Sequence, residues 1–362
     1  MKKITVISLG DPFNVKTWSK SPFSLAEAFK NKQFEVGGIN LLSFYGKIEE
    51  VFFKIQRHTF IAGICRSFFL YKKTANAFNK VVERSSDNNY LFVSEHCLNK
   101  PHVGKNFYLY VDAAIRPYYK YMPMNFIQRI IYHFTLGIYE KNDRRSYSFM
   151  NKIFTLNEWT RRFLINEYEL QESKVVNVGV GVNLVPMTEE KKYDNNLLLI
   201  VLRKSKTIER IKGLPILLQA YRMLRRELPD VKLAVVGTTG EEEEGVTYYY
   251  NQPRSKTVEL FKACTLYVMP ALCEPNGTTY LEALANKSPI VGLNRFAFPE
   301  FSGYGKYGFI CPDERPETLA HVLKDALSDK EKLERMGMEG QNYVLDRFSW
   351  DKVVEKIIAE MK

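Results

Sequence analysis

The stretch Ala271-Leu-Cys-Glu-Pro-Asn-Gly-Thr-Thr-Tyr-Leu-Glu-Ala-Leu-Ala285 sets two carboxylates, Glu274 and Glu282, on either side of a small-residue turn. The preceding run Leu266-Tyr-Val-Met-Pro270 reads as a short apolar strand, and Thr278 and Thr279 suit the opening of the helix that carries Glu282. A strand, a turn and a helix N-terminus in that order make an anion site. Free backbone N–H groups at Asn276, Gly277, Thr278 and Thr279, reinforced by the helix dipole, can hold a phosphate, and Gly277 lets it approach the backbone closely. Glu282, about one turn into the helix, is then placed to accept hydrogen bonds from vicinal hydroxyls such as those of a ribose, and Glu274 faces whatever lies beyond the phosphates.

Working outward, alternating short strands and helices fill both halves of the chain. Strands are expected at 4–9, 107–111, 152–156 and 175–178, with helices at 21–32 and 158–168. The second half repeats the pattern, with strands at 197–202, 233–236, 266–269, 290–293 and 309–311 and helices at 214–228, 256–264, 279–286, 316–327 and 330–348. The fold class is α/β, with two doubly wound sheets whose ligands sit beyond the carboxyl ends of the strands. A chain of 362 residues, 45% hydrophobic and 26% charged, also suits about two cores. The polar stretch Thr188-Glu-Glu-Lys-Lys-Tyr-Asp-Asn-Asn196 is the expected linker, and 241–244 an exposed acidic loop.

The motif resembles the Glu-x7-Glu signature of the retaining glycosyltransferases of family 4, which have the two-Rossmann-domain architecture called GT-B. Pro289-Ile-Val-Gly292, Pro299-Glu300, Gly308-Phe-Ile-Cys-Pro312 and Arg347-Phe-Ser-Trp350 follow in that family's order, and Lys212-Gly213 and Val235-Val-Gly237 precede it. The first half matches more thinly, through Gly10-Asp-Pro-Phe13, Thr17-Trp-Ser19, Tyr110-Val-Asp-Ala113 and Thr155-Leu-Asn-Glu-Trp159, which look like a bacterial branch that builds surface polysaccharides and glycolipids, while Gly181-Val-Asn183 looks like the family's usual domain-end signature. The resemblance implies an acceptor-binding unit at 1–187, a nucleotide-sugar-binding unit at 194–349, and a C-terminal helix at 350–362 packed back on the first unit. It further implies transfer of a sugar from a nucleotide-diphosphate donor to a saccharide or lipid-linked acceptor, without a cofactor.

Sugar transfer requires neutralisation of the departing diphosphate by a divalent metal or by fixed cations and helix dipoles. No Asp-x-Asp occurs, so the usual metal-ligand motif is missing. In the family an Arg after the first strand of the second unit and a Lys before a Gly do this work. Arg203 and Lys212 match them with extra residues between, which leaves Lys204, Lys206 and Arg210 as substitutes for Arg203, and plain surface cations as the alternative for both. Gly10 fits the first tight loop facing the diphosphate, and Gly237 ends a strand where the backbone approaches a nucleobase. Tyr248, Tyr249 and Tyr250 either stack there or simply pack. Asp112 is the sharpest departure, standing where many family members carry a His. Its carboxylate suits a sugar or acceptor hydroxyl, or else caps the next turn. His96 and His102 flank Cys97 with no carboxylate or nucleophile motif and read as structural.

Charge separates the halves. Residues 1–185 hold 26 Lys and Arg against 15 Asp and Glu, net +11, whereas residues 186–362 hold 26 of each. The basic half mixes aromatics with cations at Phe52-Phe-Lys54, Arg66-Ser-Phe-Phe-Leu-Tyr-Lys-Lys73 and Arg116-Pro-Tyr-Tyr-Lys-Tyr121. At 124–139, Ile127, Ile130, Ile131, Phe134 and Ile138 share one helical face, with Arg129 and His133 off it. Such segments suit an anionic membrane surface or a phosphorylated acceptor, with a solvated basic face as the plain alternative, and for 124–139 a helix packed on the core. No segment reaches the roughly 20 apolar residues of a membrane span, and the apolar run after Met1 is too short for a signal peptide, so a cytoplasmic protein, peripheral on the inner membrane face, is expected. Five scattered cysteines without a Cys-x-x-Cys pair argue against a disulfide frame or a zinc site. A nucleotide-sugar epimerase or hydrolase of the same fold is the enzyme alternative. A basic membrane- or nucleic-acid-binding module is the other, although no nucleic-acid motif is present and none is expected to bind.

Overall fold

A computed structural model describes residues 2–47, 71–113, 121, 124–183 and 185–361; the basic-aromatic segments at 52–54, 66–70 and 116–120, and the Gln128 and Ile131 side chains, lie outside the described set. Twelve parallel strands form two six-stranded sheets. The first comprises β1 (Lys3–Ser8), β2 (Glu35–Asn40), β3 (Asn89–Val93), β4 (Asn106–Val111), β5 (Lys152–Thr155) and β6 (Val175–Asn177), in the order β2-β1-β3-β4-β5-β6. Between them run α1 (Ser21–Asn31), α2 (Tyr71–Arg84), α3 (Phe126–Phe149) and α4 (Glu158–Tyr168). The second sheet comprises β7 (Leu197–Val201), β8 (Lys232–Val236), β9 (Val246–Tyr249), β10 (Leu266–Val268), β11 (Ile290–Leu293) and β12 (Gly308–Cys311), in the order β12-β11-β10-β7-β8-β9. Its helices are α5 (Lys206–Ile211), α6 (Leu214–Glu227), α7 (Arg254–Ala263), α8 (Thr278–Ala285), α9 (Phe298–Phe301), α10 (Pro316–Ser328) and α11 (Lys330–Arg347), and α12 (Trp350–Glu360) follows.

The central strands are apolar through and through because helices cover both faces: Leu198, Leu199 and Ile200 of β7 and Leu266, Tyr267 and Val268 of β10 are fully buried. Strand order reverses beside β1 in the first sheet and beside β7 in the second. The crevices at these switch points open at the exits of β1 and β3 and of β7 and β10, the ends that carry Gly10, Arg203 and the Glu274 loop.

The polar run at 188–196 is not a free tether. Lys191 Nζ is buried and donates to the carbonyls of Phe261, Lys262 and Asn286 and to Ser288 Oγ at 2.8–3.1 Å. Burial lowers its ammonium to about 8, and the acceptors compensate the lost water. Helix α12 turns back onto the first unit. Glu355 pairs with Lys32 at 2.7 Å and Glu360 with Lys152 at 2.8 Å. Trp350 occupies the space beside Gly181, where an added Cβ would lie 2.2 Å from the indole.

Candidate functional site

Helix α8 starts at Thr278 with Gly277 as its N-cap and no side-chain cap, so its first N–H groups are left to a ligand or to water. The strand before it is tied to the helix by Tyr280 Oη donating to the Met269 carbonyl at 2.6 Å and by Tyr267 Oη donating to Thr279 Oγ1 at 2.8 Å. The Thr279 hydroxyl is therefore engaged with the strand behind the helix. A Cβ on residue 277 would lie 2.5 Å from the Tyr280 ring and 3.1 Å from Glu274 Cγ, which is why glycine stands at the tightest point of the turn.

Lys212 reaches this loop through two backbone devices. Gly213 has φ +79°, and a Cβ there would sit 2.0 Å from the Pro270 carbonyl oxygen. The Ile211 carbonyl accepts from the N–H groups of Leu272 at 2.7 Å and Cys273 at 3.2 Å. The α5–α6 turn is thus stitched to the strand exit, and Lys212 Nζ meets Glu274 Oε2 at 2.8 Å with both side chains less than a fifth exposed. Glu282 pairs with Arg254 Nη2 at 3.3 Å; burial pushes its carboxyl up, and Arg254 pulls it partly back. Arg203 lies exposed at the exit of β7 and makes no ion pair among the described residues. Of its substitutes, Lys204 sits over the Tyr250 ring at 4.3 Å, Lys206 lies 3.9 Å from Glu209, and Arg210 is exposed.

Gly237 has φ +91°, and a Cβ there would lie 2.0 Å from the Leu202 carbonyl. The close approach is to the β7 exit, so this glycine shapes the loop that carries Arg203. Among the tyrosines, Tyr248 packs against Gly240, Tyr249 lies beside Lys256 at 5.7 Å, and Tyr250 is exposed. Gly10 donates its N–H to Asn40 Oδ1 at 3.0 Å, and its carbonyl accepts from Ser8 Oγ at 2.9 Å, holding the first loop of the other unit.

The two units meet at a buried asparagine that sequence reasoning missed. Asn157 caps α4 by accepting from Thr160 N at 2.8 Å and donates Nδ2 to the Pro275 carbonyl at 2.8 Å, beside Asn276 Oδ1 at 3.4 Å. Thr160 Oγ1 in turn donates to the Asp112 carbonyl at 3.0 Å. This relay fixes the β4 exit against the Glu274 loop. Asp112 Oδ1 accepts from Ala113 N at 3.0 Å, so the carboxylate does cap its own turn. Burial raises Asp112 to about 6, and the Glu274 carboxylate across the cleft adds to the rise. Glu300 braces the same junction by accepting from Glu158 N at 2.7 Å and Asn177 Nδ2 at 3.3 Å, and Trp159 packs edge-on to Phe296 at 4.8 Å. An Asn directly before an acidic, aromatic helix start is a local signal for the cap at Asn157; nothing local signals its reach to Pro275.

The histidines flanking Cys97 sit elsewhere. His102 Nε2 lies 2.9 Å from Asn79 Oδ1, and His96 Nε2 meets the Asp143 carboxylate of α3 at 3.3 Å. Among the described residues, no group of three or more His, Cys, Asp and Glu side chains is arranged to hold a metal ion, no helix is long and apolar enough to cross a membrane, and Cys97, Cys264, Cys273 and Cys311 are buried free thiols.

Comparison with known proteins agrees with this geometry. Residues 188–343 match the family described as "Glycosyl transferases group 1". Spore coat protein SA of Bacillus subtilis is 26% identical over 244 residues, covering 58% of this chain and 64% of that protein. Four further curated relatives are spanned over only 29–51% of their own lengths. Sucrose-phosphate synthase from Thermosynechococcus elongatus superposes with a TM-score of 0.70 at 13% identity, over 99% of this chain and 98% of that one. Anabaena HepE in complex with UDP does so with a TM-score of 0.64 at 14% identity, over 99% of each chain. At such identities the likeness establishes the shared two-sheet GT-B fold.

Proposed function

We propose that the protein is a glycosyltransferase that moves a sugar from a nucleotide-diphosphate donor on the second unit to a saccharide or lipid-linked acceptor on the first. The observation that carries this reading is the pairing of Lys212 with Glu274 at the open N-terminus of α8, with Glu282 one turn further on and Asp112 across the cleft. The family match over 188–343 supports the chemistry, and a structural neighbour that binds UDP supports the donor class.

In this reading the diphosphate takes the α8 N–H groups and Lys212, with Arg203 swinging in from the β7 exit, so that fixed cations serve in place of a metal. Glu282 accepts from the ribose hydroxyls. Glu274, released from Lys212, holds the donor sugar. The bond from the anomeric carbon to the phosphate oxygen breaks, the acceptor oxygen bonds to that carbon on the same face, and the acceptor proton passes to the departing phosphate. The anomeric configuration is thereby retained. Asp112 orients an acceptor or sugar hydroxyl, and the cellular setting we propose is surface polysaccharide or glycolipid synthesis on the cytoplasmic face of a membrane.

The test is a thermal-shift panel of nucleotide sugars followed by transfer assays with the hit. A true donor at a hundred times its dissociation constant stabilises the fold by about 2.7 kcal/mol. Transfer that persists in chelator with retained configuration supports the account. Transfer that collapses in chelator and returns with magnesium or manganese removes the metal-independent step, and free nucleotide or isomerised donor without any acceptor replaces the transferase with a hydrolase or epimerase.

A further inference from the structure

Helix α3 carries its apolar stripe on the outside. Phe126, Ile127, Ile130 and Phe134 are 77%, 67%, 44% and 70% exposed. At 100° per residue they fall in one sector roughly 100° wide, and Lys141 and Arg145, also exposed, continue that sector toward the helix C-terminus. The opposite side, with Tyr132, Thr135, Asp143, Ser146 and Tyr147, is buried against the first unit.

The helix cannot roll its stripe inward without breaking what anchors it. Arg144 donates to the carbonyls of Tyr168 at 2.7 Å and Glu167 at 2.6 Å, and Asp143 meets His96 at 3.3 Å on the buried side. The sequence pattern left open whether this stripe packs on the core; for Ile127, Ile130 and Phe134 it does not, whereas Ile138 is half-buried. Scattered exposed hydrophobics need no explanation, but four large ones in one sector form a patch that soluble surfaces normally avoid.

Charge identifies the occupant. The whole +11 excess of the chain lies in residues 1–185. Arg129 and the half-buried Glu140 lie along one border of the stripe, Lys141 and Arg145 extend the stripe itself, and Asp143 is turned inward. A second copy of this chain docked face to face about a two-fold axis would bring like charges together. An anionic bilayer accepts both parts of the face, with apolar side chains at the acyl boundary and cations among the headgroups.

We propose that the outward face of α3 is a docking surface for an anionic lipid bilayer, with Phe126, Ile127, Ile130 and Phe134 entering the interface and Lys141 and Arg145 on the headgroups. The inference does not depend on the transfer chemistry, because the face lies on the first unit, away from the α8 site.

The experiment is co-sedimentation of the full chain with extruded vesicles of phosphatidylcholine alone or mixed with phosphatidylglycerol. Two double variants accompany it, Ile127→Ser with Phe134→Ser and Lys141→Glu with Arg145→Glu. Both change exposed side chains, so both should melt as wild type and bind nucleotide diphosphate equally well. Wild type should pellet with the mixed vesicles and stay in solution with phosphatidylcholine. Each double variant should bind the mixed vesicles roughly tenfold more weakly or worse, and added salt should release wild type. Absent binding, binding indifferent to lipid charge, binding that survives the Ile127 and Phe134 changes, or a wild-type dimer that those changes dissolve overturns the proposal. Loss of nucleotide binding alongside intact vesicle binding would count against the donor site alone.

Discussion

Replacing Lys212 by Met and Glu274 by Gln should act in opposite directions on nucleotide binding. The two side chains are 2.8 Å apart and each less than a fifth exposed. At an effective dielectric of about 20 the attraction is roughly 6 kcal/mol before desolvation is subtracted, and a charged hydrogen bond contributes about 1.5–3 kcal/mol net. Lys212→Met therefore leaves a largely buried carboxylate without its cation. It should lower stability by about that amount and weaken binding of the preferred nucleoside diphosphate by roughly ten- to a hundredfold, since the phosphate loses the same ammonium. Glu274→Gln frees Lys212 from its internal partner, so nucleotide diphosphate should bind at least as tightly as to wild type while turnover of the complete donor falls. Urea denaturation gives the stabilities, calorimetric titration with UDP, GDP and ADP gives the affinities, and the four-way cycle isolates the pairwise term. Weaker nucleotide binding by Glu274→Gln, or unchanged binding by Lys212→Met, would refute the competition between carboxylate and phosphate for this lysine.

Asp112→Asn probes the carboxyl raised from an ordinary 3.8 to about 6. A raised folded value means that the wild type loses stability as pH climbs from about 4 through about 6, so the Asn variant should gain relative to it over that window, up to about 3 kcal/mol; melting curves at pH 4 and pH 8 that show no change in the difference would contradict this. If the ionised carboxylate orients a hydroxyl, kcat/KM falls below about pH 6, and the variant lacks that limb of the profile. Asn157→Ala removes the α4 cap and leaves the Pro275 carbonyl unpaired, costing about 1–3 kcal/mol in melting experiments and lowering kcat more than donor affinity, because the β4 exit loses its hold on the Glu274 loop. Gly213→Ala forces a Cβ to within 2.0 Å of the Pro270 carbonyl and should cost more stability than Lys212→Met, read by denaturant midpoint.

Sequence legibility follows burial. The strands β7, β10 and β11 are continuous apolar runs because both faces are covered, and their positions could be read within a residue or two. The edge strands β2 and β9 escaped notice for the opposite reason: β2 contains Gly37 and Gly38 and is partly exposed along its length, and β9 follows an acidic loop with no fully buried residue. The run from Tyr90 to Val93 in β3 is fully buried, yet this central strand was not expected, because it stands among Asn and Ser residues that read as loop. At the site, Glu274, Glu282 and the helix start were readable because strand, turn and helix lie in sequence. Arg254 against Glu282, Asn157 against Pro275 and Asp143 against His96 were not, since each contact joins segments that only the packed sheets bring together.

The claim that residues 276–282 form a nucleotide-sugar site is tested most directly by titrating wild type and Glu282→Ala with the nucleotide sugar that stabilises the protein best. The account predicts saturable binding to wild type and a loss of about 1.5–3 kcal/mol in the variant, equal for the sugar nucleotide and its free diphosphate, because Glu282 holds the ribose common to both. Equal affinity in the two proteins, or no nucleotide-sugar binding by wild type at all, would contradict it.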